Sequence, residues 1–307
     1  MKRDLLSVTD LGGELMEVIE LARIMKGETR EGLEMELFKG KILAMIFEKP
    51  SLRTRVSFEI GFGQLGGTAL YLSPNEIRIG ERESVHDVAM VLSRYVDMIM
   101  YRSFKNENMV ELARHATVPV INGLDDREHP CQCVADLLTI YERKGGLSGK
   151  RLCYLGDGNN VLNSLLLGGA MLGMDVVAAC PPDYLPKGDI VEAAAELAGT
   201  TGGKVAVISD PELAVSGADV VYTDTWVSMG DEKEKDERLK AFAGYQVNSE
   251  LFDRARPDAI FMHCLPAHRG QEVTDDVMDS SRSAVFDQAE NRLHAQKAIM
   301  ARLAGLR

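Results

Sequence analysis

The run Ile42–Phe47 is apolar without interruption and has the length of a strand. Lys49, Pro50 and Ser51 break it, and from Val56 onward Phe58, Phe62 and Leu65 recur at the spacing of one helical face. A strand that turns directly into a helix is the unit of a parallel α/β sheet when it repeats along a chain. The turn itself, Ser51-Leu52-Arg53-Thr54-Arg55, also has chemical character. Free N–H groups of the first helical turn and the positive end of the helix dipole point outward there, beside hydroxyls and guanidinium groups. Phosphate is the usual anion for such a place. The competing reading is a serine N-cap followed by exposed arginines.

The alternation does repeat. Residues 8–27 read as a helix capped by Ser7, Thr9 or Asp10, and Thr68–Leu72 as a strand after Gly66-Gly67. Ser73–Ser84 is polar and turn-rich and reads as a long loop, a class that is often functional. A helix through Ala89, Leu92 and Tyr95 follows, then a strand Met98–Tyr101 ending at Arg102, and another at Val118–Ile121. His129-Pro130 opens a helix carrying Val134, Leu137, Leu138 and Tyr141, with Pro130 suited to its first turn. Lys144-Gly-Gly-Leu-Ser-Gly-Lys150 reads as a domain boundary. Beyond it the pattern restarts, with strands at 151–155, 175–179, 204–208, 219–223 and 259–262. The expectation is an α/β protein of two tandem domains, each a parallel sheet flanked by helices. The domains are placed at 1–143 and 150–288, with the last helix, 289–307, packing back on the first. A chain of 307 residues suits that division at roughly 150 residues per domain.

A net charge of −12 argues against general nucleic-acid binding, which needs a basic face. Five cysteines, an odd number without zinc spacing, suggest reduced thiols and a cytoplasmic protein; no metal is expected. Charges interrupt the N-terminus as a signal peptide, and no stretch approaches the roughly 18 apolar residues of a membrane span.

Ligands of open parallel sheets bind at the carboxyl ends of strands. In the first half those ends offer Ser51, Arg53, Thr54 and Arg55, then Arg102, then His129 and Gln132. Cations, hydroxyls, an imidazole and an amide together suit a small, doubly charged phosphate bearing a carbonyl. In the second half, Gly156-Asp-Gly-Asn-Asn160 has the look of a nucleotide-binding turn but departs from GxGxxG, and its asparagines could instead hold a carboxylate. Asp224 at a strand end suits an ammonium group. Asp231–Arg238, dense in charges of both signs, reads as a solvated helix or a closing lid. Cys264 beside His263 might suggest a nucleophile and base. Neighbours on a strand point to opposite faces, however, which favours a lining or hydrogen-bonding role for the thiol.

Phe47-Glu-Lys-Pro-Ser-Leu-Arg-Thr54, His129-Pro-Cys-Gln132, Asp224 with Ser228-Met-Gly230, and His263-Cys-Leu-Pro266 together resemble the ornithine carbamoyltransferase family, in the family's order and nearly end to end. The first two motifs are shared across the aspartate/ornithine carbamoyltransferase superfamily; the last two are the specific ones. The resemblance implies transfer of the carbamoyl group of carbamoyl phosphate to the δ-amine of L-ornithine, without a cofactor. It implies that Ser51, Arg53, Thr54 and the Leu52 backbone hold the phosphate. Arg102 would bridge phosphate and carbonyl, His129 and Gln132 would bind the carbamoyl end, and Arg292 would meet carbamoyl phosphate. Asn160, Asp224, Ser228 and Met229 would hold ornithine, with Cys264 and Leu265 beside the reacting carbon and the δ-amine. Arg53, Arg102, His129 and Cys264 are thus the implied catalytic residues. The family forms trimers in which a neighbour's loop, here 73–84, completes each site. Two residues depart from the pattern: Leu52 stands where many members have Thr, and Arg78 where many have a carbamoyl-phosphate-binding Gln. An NAD-dependent oxidoreductase is the alternative suggested by residues 156–160, and a non-catalytic paralogue the one suggested by Leu52 and Arg78.

Overall fold

The computed structural model describes residues 2–307 apart from 34, 78, 80, 81, 229 and 231, and the side chains of 75, 76 and 232 also lie outside the description. Two compact units are present, one of Met1–Leu138 with Glu290–Arg307, the other of Thr139–Ala289. The first division falls inside the helix Pro130–Lys144 and the second inside the helix Val285–Leu303. The Gly-rich Lys144–Lys150 stretch is therefore a turn within the second unit.

In the first unit, β1 (Ile42–Phe47), β2 (Thr68–Leu72), β3 (Met98–Arg102) and β4 (Val120–Leu124) form a parallel sheet in the order β2-β1-β3-β4. β1 is buried from Leu43 to Phe47 and β3 along its whole length, which is why both read as continuous apolar runs rather than alternating ones. Asp97 starts them in register, accepting the Ile42 N–H (2.9 Å) at one carboxylate oxygen and the Lys41 ammonium (2.9 Å) at the other. β4 begins two residues later than the apolar pattern suggests. Pro119 has no N–H to give, and its carbonyl instead accepts from Ile99 (2.9 Å). The free edge of β4 takes a bridge from the N-terminal segment: Leu5 N–H donates to Val120 O and Asn122 N–H to Leu5 O. The first helical region is kinked at Gly12 (φ 50°), inside the 3-10 segment Val8–Glu14 that leads into the helix Leu15–Glu31. The expected long loop contains a short helix, Pro74–Ile77.

In the second unit, β5 (Arg151–Leu155), β6 (Asp175–Ala179), β7 (Lys204–Ile208), β8 (Val220–Thr223) and β9 (Ile260–His263) form a parallel sheet in the order β7-β6-β5-β8-β9. One face packs on a core that includes Val221, Phe252, Phe261 and Val277. Each sheet reverses its strand order once, at β1/β3 in the first unit and at β5/β8 in the second. Such switch points open a crevice outside the strand ends. The candidate residues collect at these two places.

Candidate active site

At the β1/β3 switch, Ser51 N-caps the helix Leu52–Gln64. Its hydroxyl accepts the Thr54 N–H (3.4 Å) and donates to the Thr54 hydroxyl (3.1 Å). Leu52 is 75% exposed and Arg53 half-buried in the first turn, whereas Thr54 is buried. Arg55 faces elsewhere, paired with Glu59 (3.3 Å) and stacked on Tyr71 (4.0 Å). From the C-terminal helix, the buried Arg292 sends one guanidinium nitrogen to Gln132 Oε1 (2.7 Å) and the other to Thr54 Oγ1 (3.0 Å). Gln132 donates in turn to Asp136 (2.7 Å). One planar fork therefore ties the turn after β1 to the helix after β4, and a guanidinium is suited to that task.

Arg102 ends β3, buried. His129 is also buried, and burial, with Arg292, Arg102 and Lys49 nearby, holds its imidazolium far below the usual histidine range. The ring is therefore neutral at physiological pH and can donate a hydrogen bond without competing as a cation. In the sequence Lys49 stands as a strand breaker and a member of the Phe47–Thr54 motif, with no site role of its own. Its ammonium lies 5.0 Å from the centre of the Phe104 ring, and burial followed by repulsion from Arg102 lowers its pKa to about 8. Glu48, one residue earlier, accepts from the Tyr101 hydroxyl and the Phe104 N–H (2.6 Å), fixing the β1 and β3 ends together. Ahead of His129, the buried Asp125 accepts the N–H groups of Arg127 (2.8 Å) and Glu128 (2.7 Å) and shapes the approach to the helix. Three cations around a neutral imidazole form a cradle suited to an anion, with Asp125, Asp126 and Glu48 also acting on the Lys49 ammonium.

At the β5/β8 switch, Asp224 is buried and accepts at both oxygens: from Asn159 Nδ2 (2.9 Å), from the Cys264 thiol (3.0 Å) and from the Thr225 N–H (2.8 Å). The sequence offers Asn159 with Asn160 as a holder of a carboxylate, but Asn159 has a different partner. It orients Asp224 while its own carbonyl caps the helix Asn160–Met171 through Val161 N–H (3.0 Å) and Leu162 N–H (3.1 Å). Asn160 itself, Ser228 and Leu265 are half-buried. Met229 and Arg78 lie outside the described residues. The glycines of residues 156–158 answer to the chain rather than to a dinucleotide. A Cβ on Gly158 would stand 2.2 Å from the Leu185–Pro186 backbone. Arg238, in the charge-rich stretch, is buried rather than solvated. It donates to the Trp226 carbonyl (2.8 Å), pairs with Asp157 (2.5 Å) and lies over the Tyr184 ring (4.8 Å).

Asp224, His263 and Cys264 bring one ligand-type atom each within 4.8 Å of one another, alone in this among the described residues. Both imidazole nitrogens are already engaged, Nδ1 by the Leu265 N–H (2.9 Å) and Nε2 by Glu272 (3.2 Å), so the cluster is a hydrogen-bond network.

The carbamoyl-phosphate-binding domain of the aspartate/ornithine carbamoyltransferases matches residues 3–142, and their Asp/Orn-binding domain matches residues 148–303. The chain belongs to the aspartate/ornithine carbamoyltransferase family. It is 57% identical to the ornithine carbamoyltransferase of Symbiobacterium thermophilum, over 97% of this chain and 96% of the relative. The one from Methanoculleus marisnigri is 53% identical over 99% and 97%. Among solved structures, the ornithine carbamoyltransferase from Pyrococcus furiosus superposes with a TM-score of 0.95 at 51% identity, covering 98% of this chain and 96% of that one. Lys49, Arg102, His129 and Gln132 fall in the match of the first of these domains, whereas Arg292 and the Asp224 cluster fall in the range of the second.

Proposed function

We infer that the protein is an ornithine carbamoyltransferase, transferring the carbamoyl group of carbamoyl phosphate to the δ-amine of L-ornithine to give L-citrulline and phosphate. The observation that carries this reading is the cradle of Lys49, Arg102 and Arg292 around a neutral His129 at the β1/β3 switch. Ser51, Arg53, Thr54 and the Leu52 N–H bind the phosphate, and Arg102, His129 and Gln132 the carbamoyl group. Asp224 takes the α-ammonium of ornithine, with Asn160, Ser228 and Met229 completing the amino-acid site and Cys264 and Leu265 lining the reacting end.

The δ-amine resembles a lysine amine of pKa about 10.4, so roughly one molecule in two thousand is neutral at pH 7. Activity therefore rises toward alkaline pH until the enzyme's own groups titrate. The departing phosphate can accept the proton released on attack, and no protein base is required. Each donor to the developing oxyanion contributes about 3–4 kcal/mol, and holding two substrates in line about 7–11 kcal/mol.

The reading extends to a homotrimer or a multiple of it, in which Arg78 reaches a neighbour's phosphate. Exposed apolar side chains on one helix, Val56 (46%) and Ile60 (49%), and Leu70 (48%) on the edge strand β2 support a covered face there. Five free cysteines, four of them buried, support a reducing, cytoplasmic setting. Among the described residues no helix is long and apolar enough to cross a membrane. The same site chemistry serves arginine synthesis and citrulline breakdown.

The test is citrulline formation from carbamoyl phosphate and L-ornithine, with aspartate, putrescine and N-acetylornithine in parallel. Turnover with ornithine alone is expected. Turnover with another amine alone would overturn the acceptor assignment, and none with any amine would favour a non-catalytic paralogue.

A further inference from the structure

His263 ends β9 with its side chain fully buried and a ring nitrogen within 4.8 Å of the thiol of the next residue. Its Nδ1 accepts the Leu265 N–H at 2.9 Å, so that nitrogen carries no proton and the proton sits on Nε2. Nε2 lies 3.2 Å from Glu272 Oε1, and Glu272 is itself fully buried. The same carboxylate oxygen accepts the His268 N–H (2.5 Å), and the His268 ring meets the Thr225 hydroxyl (3.1 Å) next to Asp224. The His263 N–H is held separately by Gln288 Oε1 (2.9 Å).

These bonds surround a turn that needs support. Leu265 has φ of 59°, in the left-handed region, which costs a leucine about 1–2 kcal/mol. In that conformation the turn sets the Cys264 thiol 3.0 Å from Asp224 Oδ1. A strained conformation persists only where its surroundings impose it. Here the imposing contact is the bond from the Leu265 N–H to the His263 ring, and it requires the Nε2-protonated tautomer. The geometry assigns Glu272 and His263 a role as a positioning pair: the carboxylate selects the imidazole tautomer, and the imidazole holds the Cys264–Leu265 turn against Asp224. Glu272 touches no substrate and acts through His263, much as a buried carboxylate orients the histidine of a hydrolase triad.

The functional consequence rests on the carbamoyltransferase reading, but the positioning can be read without turnover. Cys131, Cys133, Cys153 and Cys180 are buried, leaving Cys264 as the partly exposed thiol. While its proton is engaged by Asp224, Cys264 reacts slowly with alkylating reagents, so its iodoacetamide rate in the native protein reports the state of the turn. Three full-length variants decide the matter. Glu272→Gln removes the charge that selects the tautomer, and His263→Leu removes the acceptor. In His263→Asn the side-chain oxygen can still accept from the N–H two residues on, as in an Asx turn. Glu272→Gln and His263→Leu are expected to raise the Cys264 alkylation rate several-fold. They are also expected to lower kcat about tenfold or more, the scale of a misplaced reacting group, with KM for carbamoyl phosphate changed less than about twofold. His263→Asn recovers much of both. Wild-type alkylation in a folded Glu272→Gln protein, or a His263→Asn protein no better than His263→Leu, would overturn the assignment. Should His263→Leu fail to fold, Glu272→Gln and His263→Asn decide alone. If the wild type makes no citrulline, the functional reading falls while the alkylation comparison still judges the turn.

Discussion

Lys49 gives the site a pH response of its own. Its free-enzyme pKa of about 8 reflects burial and the nearby Arg102, and a bound phosphate dianion would counter both by pairing with the ammonium. A lowered lysine pKa means that the charged form is present below pH 8 and is lost as pH rises through it. Anion binding selects that charged form, so affinity falls on the alkaline side. For a site that binds only the protonated lysine, apparent Kd rises about fivefold from pH 8 to pH 9 and about ninefold over the next unit. Calorimetric titration with inorganic phosphate isolates the effect, because phosphate remains a dianion there and ornithine's amine is not involved. Lys49→Arg places a guanidinium that does not titrate in this range, so its curve should be flat. Lys49→Met should be flat and weaker throughout. A wild-type curve as flat as that of Lys49→Arg would refute the argument, since Lys49 would then not sense the anion.

Arg292→Met breaks the bonds to Gln132 and Thr54, and kcat/KM for carbamoyl phosphate should fall roughly 100-fold or more; a loss within about threefold in a folded protein would place Arg292 outside the phosphate site. Asp224→Asn discards the charge meant for the α-ammonium, raising KM for ornithine about 10- to 100-fold; initial rates with unchanged KM would move that partner elsewhere. Arg78→Ala should raise KM for carbamoyl phosphate if a neighbour completes the site, and no change would remove Arg78 from it. Gly158→Ala drives a methyl into the Leu185–Pro186 backbone and should cost about 1–3 kcal/mol in urea unfolding, an unchanged midpoint being the contrary result.

Much of this was legible in the chain because the central parallel strands are buried along their length, while the more exposed edge strands β2 and β7 are short apolar runs opened by glycine pairs. Ile42–Phe47, Thr68–Leu72, Arg151–Leu155, Asp175–Ala179 and Lys204–Ile208 have the bounds that apolar runs alone suggest. Val120–Leu124 does not, because a missing proline N–H moved its start, and the pairing of Leu5 with that strand depends on a contact more than a hundred residues away. At the site, Arg102 and Asp224 declare themselves by standing where an apolar run stops, and His129 by preceding the proline that opens a helix. Lys49 does not, since a lysine after a strand is ordinary until Arg102 and His129 are seen beside it. Asn159 is equally hidden, as its role lies in a bond to Asp224 across 65 positions. Glu272 lies in a polar stretch, and nothing local marks it as fully buried.

Glu290–Arg307 belongs to the unit that begins the chain, although the whole of Thr139–Ala289 is synthesised between them. Lys297 is fully buried and reaches Thr29 (2.7 Å) and Gln64 (3.1 Å), and Arg292 reaches Thr54. Domains usually mature in the order in which the ribosome makes them. Here the contiguous second unit can finish first, while the amino-terminal unit waits for residues 290–307 to leave the exit tunnel. Until then its cluster of cations around His129 lacks Arg292. Its completion closes a loop of very long range, the kind of step that makes folding slow.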